Sequence, residues 1–67
     1  VGTDEELLKS SYELIPTRRC LVRVANSYVS QGYGTNMNSD IRNDLNGYFD
    51  DDDDLKDYED FISRLPQ

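Results

Sequence analysis

Carboxylates are the only chemically active side chains this chain has in quantity: fourteen of its 67 residues are Asp or Glu, against seven Lys or Arg, for a formal charge of −7. Five of them run consecutively (Asp50, Asp51, Asp52, Asp53, Asp54), and Asp57, Glu59 and Asp60 follow closely. Such a run could ligate a hard cation through oxygen or meet a basic partner protein. It does not form an EF-hand loop, which needs Gly at its sixth position and Glu at its twelfth; counted from Asp50, those places hold Leu55 and Phe61. An exposed acidic loop with weak, non-specific cation affinity is the plainer expectation for it. The chain has no histidine, and so lacks the commonest general base and transition-metal ligand. No nucleophile and base pair can be placed, and no enzyme activity is expected. The lone Cys20 excludes an internal disulfide and is expected as a small buried hydrophobe in a reducing compartment. Arg18, Arg19 and Arg23 form the one basic cluster and are expected to pair with the acidic loops. The net negative charge argues against a nucleic-acid partner.

Gly2-Thr3-Asp4-Glu5-x-x-Leu8, Thr17-Arg18, Tyr33-Gly34, Asp40-Ile41, Asp44 and Gly47-x-Phe49 succeed one another along the chain. In order and approximate spacing this series resembles an annexin repeat, whose pattern runs G-x-G-T-D-E, T-R, Y-G, D-I-x-x-D and S-G-x-F before a closing apolar helix. The resemblance implies the last four of the repeat's five helices, beginning at the interhelical loop. It further implies calcium held by carbonyls of the loop at Gly2 and Thr3 and by the distant carboxylate of Asp44, the ion bridging to an anionic phospholipid surface. The first helix of the repeat, the first glycine of the loop and the other three repeats have no counterpart in this sequence, and the aspartate run lengthens the junction before the last helix. A fainter likeness joins residues 45–66 to the acidic Tyr-Phe-x-x-Asp segment of some bacterial contact-inhibition immunity proteins. It suggests the alternative function, a small acidic inhibitor that docks on a basic partner through Asp50 to Asp54, Asp57, Glu59 and Asp60.

Four helices would have to position these residues. Residues 17–34 carry the densest apolar run, and Leu21, Val24, Ala25, Tyr28 and Val29 recur at helical spacing, ended by Gly32 and Gly34. Val22 and Val24 alternate with Arg23 as in a strand from Cys20 to Ala25, but the alternation fails by Asn26, so a central helix is predicted, with the rest organised around it. Ahead of it, Thr3 and Glu6 form a capping box that opens a helix with Leu8, Ser11, Tyr12 and Ile15 inward, Leu7 and Leu14 widening the stripe and Pro16 stopping it. A short third helix is predicted from about Ser39 to Leu45, capped by Asn38 or Ser39, with Tyr48 and Phe49 covering the core after the Asn46-Gly47 turn. Leu55, Tyr58, Phe61, Ile62 and Leu65 give a last helix that Pro66 closes, with the aspartate run as a solvated loop ending in its acidic first turn.

The fold class predicted is all-α, a small bundle of four short helices in a single domain over residues 1–67. At this size only about 60% of the unfolded chain's surface is buried on folding, so a cation or a partner is expected to supplement the core. No stretch is long and apolar enough for a membrane span and no signal-peptide pattern is present, so the chain is expected in the cytoplasm. It begins with Val1, as a processed chain or a piece of a longer one would.

Overall fold

A computed structural model describes residues 4–46 and 53–67, and within them the chain forms four helices: α1 (Glu5–Tyr12), α2 (Arg18–Ser30), α3 (Met37–Leu45) and α4 (Asp53–Arg64). The all-α bundle expected from periodicity is what these residues adopt. Cys20 to Ala25 is helical, not extended. None of the four helices is long and apolar enough to cross a membrane.

Each of the first three helices is started by a side chain that accepts a hydrogen bond from the backbone three residues on. Asp4 accepts from Leu7 N, Thr17 from Cys20 N and Asn36 from Ser39 N, so each satisfies one of the orphan N–H groups of a first turn. Two of these correct the predicted starts. The cap of α1 is Asp4, a stronger capping residue than Thr and one position later, and the Thr3 half of the capping box lies outside the described residues. With Asn36 as its cap, α3 begins at Met37 and takes that side chain into the core, two residues earlier than Ser39. At the C-terminal end of α2 Gly32 matches expectation, taking up φ +83°, a conformation costly for any residue with a Cβ, whereas Gly34 does not take a positive φ.

The interior differs from the predicted one in what it is organised around. Tyr12, Leu45 and Tyr58 form its centre, with Leu8, Ile15, Ile41, Leu55, Phe61 and Ile62 packed against them, so α1, α3 and α4 build the core. The α2 helix contributes no fully buried residue. Its apolar face is made of valine, alanine and leucine around one tyrosine, whereas the other helices bring Tyr12, Tyr58 and Phe61, and aromatic rings dominate buried area. Tyr12 meets Tyr58 edge-on at 5.1 Å between ring centres and Phe61 at 4.9 Å. Leu7 and Leu14 do not widen the buried stripe; they are 64% and 81% exposed. Leu7 falls on the outer side of α1, and α1 ends at Tyr12, which leaves Leu14 in the turn before Pro16. The aromatic cover predicted at Tyr48 and Phe49 lies outside the described residues.

The chain is closed by Arg18. Its backbone N–H donates to Pro66 O at 2.7 Å, and its guanidinium donates to Leu65 O at 2.8 Å and Ser63 O at 3.3 Å. The first residue of α2 therefore occupies the carbonyl-rich end of α4, where helices leave acceptors unsatisfied and a cation is favoured.

Candidate functional site

Of the calcium ligands that the resemblance implies, Asp44 is within the described residues, while Gly2 and Thr3 are outside them. Asp44 sits in the last turn of α3, exposed, with no hydrogen bond or ion pair among the described residues. A solvent-facing carboxylate of this kind is the hard oxygen donor that calcium takes. Among the described residues, no three His, Cys, Asp or Glu side chains converge as a metal-binding cluster.

One turn before Asp44, Asp40 enters a junction that sequence reasoning did not anticipate. The Tyr28 hydroxyl of α2 donates to Asp40 Oδ2 at 2.5 Å, and the Tyr33 ring packs against Tyr28 at a tilt of 36° with ring centres 5.8 Å apart. Gly34 lies between them: a Cβ there would come within 2.9 Å of the Tyr28 ring and run into the Asp40 carboxylate. This glycine is required by close approach, unlike Gly32, around which space is open. The hydrogen bond to Asp40, then desolvation, raise the Tyr28 pKa above the ordinary tyrosine value, and the negative charges of Asp40 and Asp44 add to the effect. The signal available in the sequence was the spacing of Tyr28, Gly34 and Asp40, but nothing in periodicity says that a loop glycine and two helix residues meet.

The acidic residues assigned to a partner surface are divided by the fold. Asp57 and Glu59 flank the buried Tyr58 on α4 and reach in opposite directions. Asp57 takes Lys9 of α1 at 3.1 Å and Glu59 takes Arg42 of α3 at 2.5 Å. The hydrogen bond to Asp57, with its charge, raises the pKa of Lys9. Asp60 faces Lys56 one turn away at 3.7 Å. Asp53 and Asp54 stand exposed in the first turn of α4, favourable to its dipole, while Asp50, Asp51 and Asp52 lie outside the described residues.

Of the basic cluster, Arg18 goes to backbone carbonyls, and Arg19 and Arg23 make no ion pair or hydrogen bond among the described residues; the expected pairing with the aspartate run falls in part on Asp50, Asp51 and Asp52, outside them. Arg19 and Arg23 are both exposed on the outer side of α2. Cys20 is half-buried. Comparison of the chain with protein-family models, with curated proteins and with solved structures gave no match.

Proposed function

We propose that the chain is an annexin-like repeat unit that binds anionic phospholipid through calcium, with Asp44 and the carbonyls of Gly2 and Thr3 as the ion's protein ligands. The observation that supports this most is the junction of Tyr28, Gly34 and Asp40. The Tyr33-Gly34 and Asp40-Ile41 pairs, quoted from the sequence as separate pieces of the annexin pattern, belong to one packed contact that fixes α3 on α2. That contact orients the helix on which Asp44 stands one turn further along, with its carboxylate unpaired among the described residues. Calcium would supply the bridge between these oxygens and a lipid phosphate. The partner on this reading is an anionic membrane surface on the cytoplasmic side.

The rival reading, an acidic module docking on a basic protein, has less support, since Asp57 and Glu59 hold α4 to its neighbours. Co-sedimentation with vesicles distinguishes the two. Binding is expected with phosphatidylserine vesicles plus calcium and lost with phosphatidylcholine alone or with chelator. Asp44→Ala is expected to weaken it by about tenfold or more, since it removes a charged ligand from a site with few others. Binding that persists unchanged in chelator would end the proposal.

A further inference from the structure

The exposed side of α2 is chemically unlike the rest of the molecule. In a chain of net charge −7 this helix holds three arginines and no carboxylate. Elsewhere the cations are engaged: Lys9, Arg42 and Lys56 in ion pairs, and Arg64 on the Asp60 carbonyl. Arg19 and Arg23 are one helical turn apart, exposed, and without ion pair or hydrogen bond among the described residues. Beside them runs an apolar seam, with Val22 57% and Val29 46% exposed and Ala25 half-buried between. The spacing 22, 25, 29 is that of successive core positions in a two-helix seam, and Arg19 falls at the flanking position where charge selects the partner helix.

From this seam and the arginines beside it we infer that α2 is a docking strip for an acidic amphipathic helix of a partner protein, apolar along Val22, Ala25 and Val29 and carboxylate-bearing opposite Arg19, with Arg23 adding positive charge from the next turn on the outer side. Charge complementarity selects this occupant. At physiological salt, charges farther away than about 8 Å are largely screened. A single helix lying on α2 therefore meets the local arginines, whereas an anionic bilayer laid on this face without the calcium bridge proposed at Asp44, being broad, also faces the acidic remainder of the molecule. The contact is small and its affinity correspondingly weak, with dissociation in the range of about 0.1 to 1 mM.

The test is a titration of the isotopically labelled protein, followed by amide resonances in buffer containing EDTA, so that its outcome is independent of any calcium site. The probes are two synthetic amphipathic peptides with leucine along the seam, one with glutamate at the flanks and one with lysine. The glutamate peptide is expected to shift amides of residues 19–30 saturably. Added salt and the double variant Arg19→Gln/Arg23→Gln should each weaken it about tenfold, and Val22→Ser/Val29→Ser should weaken it as well. Because the charge swap is made on the peptide, the unaltered protein decides the matter even where a variant folds poorly. Equal shifts with the lysine peptide would overturn the inference. So would shifts confined to the groove between α1 and α3 around Leu8, Met37 and Ile41, or no saturation at millimolar peptide. Broadening of α2 by phosphatidylserine vesicles but not by the glutamate peptide would give the strip to a membrane instead, and likewise overturn it.

Discussion

Gly32 and Gly34 stand two residues apart and are glycines for different reasons. At Gly32 the constraint is backbone conformation in open space, so Gly32→Ala is expected to cost about 1 kcal/mol. Replacement by D-alanine, accessible by chemical synthesis at this length, should stabilise by about 0.4 to 1 kcal/mol, because a D-residue favours positive φ and narrows the unfolded ensemble. At Gly34 the constraint is space, and Gly34→Ala is expected to cost about 1 to 3 kcal/mol as Tyr28 and Asp40 are pushed apart. Urea denaturation of Gly34→Ala, Asp40→Ala and the double variant should show less than additive losses, since either change already disrupts the contact. Additive losses would mean that Gly34 acts elsewhere. Titration gives a second prediction. Burial raises the pKa of Tyr12 and Tyr58 above 10.0, the hydrogen bond to Asp40 raises that of Tyr28, and the Asp57 pair raises that of Lys9 above 10.5. Each group holds its proton more tightly folded than unfolded, so the associated stability is complete below the unfolded values and is lost as pH rises through the folded ones. The urea midpoint should therefore be flat up to about pH 9 and fall above about pH 10, together with tyrosinate absorbance. Tyr58→Phe, which removes a buried hydroxyl that donates to Asn38, should reduce that alkaline fall.

At the scale of elements, α2 and α4 are joined by one residue more than by packing. Replacing Arg18 by Met keeps the aliphatic stem and removes the guanidinium that serves Leu65 and Ser63, at an expected cost of about 1 to 2 kcal/mol for a partly exposed charged donor. Arg18→Lys should restore little of it, because a single ammonium does not reproduce a fork spanning two carbonyls. Amide exchange in the last turn of α4 should quicken in both variants while that of α1 changes less. The elements themselves were readable in the sequence because helix periodicity and stop residues are local: Pro16, Gly32 and the apolar spacing of Leu55 to Leu65 marked four helices, although the starts of α1 and α3 were misplaced by one and two residues. What was not readable was non-local. Apolar density marked residues 17–34 as the centre, but the fold gave that role to α1, α3 and α4, since ring size and the number of neighbouring helices, not local density, decide what is buried. The Arg18 clamp and the meeting of Tyr28, Gly34 and Asp40 span loops whose closure no periodicity encodes. Of the candidate calcium ligands, Asp44 alone can be followed into the fold.

For the molecule as a whole, the Cα positions extend 32 × 28 × 17 Å, and 17 Å admits about two layers of helix. A body so thin has little interior, and its accessible surface of 5183 Å² exceeds the roughly 4,300 Å² of a compact monomer of this mass. Charge works against it further. The three ion pairs among the described residues are surface contacts worth about 0 to 1 kcal/mol each, whereas a net charge of −7 repels itself throughout. Repulsion should win, so the melting temperature is expected to rise, not fall, as sodium chloride is added; a fall would show the pairs to dominate. Calcium at ten times its dissociation constant should add about 1.4 kcal/mol if the proposed site binds only the folded chain. The Arg18 clamp also sets an order of events during synthesis. Leu65 is buried and the carbonyls of Ser63, Leu65 and Pro66 are its acceptors, while the Tyr12 ring waits for Tyr58 and Phe61. Tyr12 therefore completes its packing only after residue 61 has left the ribosomal exit tunnel, and the Arg18 clamp closes only once residue 66 has followed, so the first helix stands without its aromatic partners while the segment between is being made.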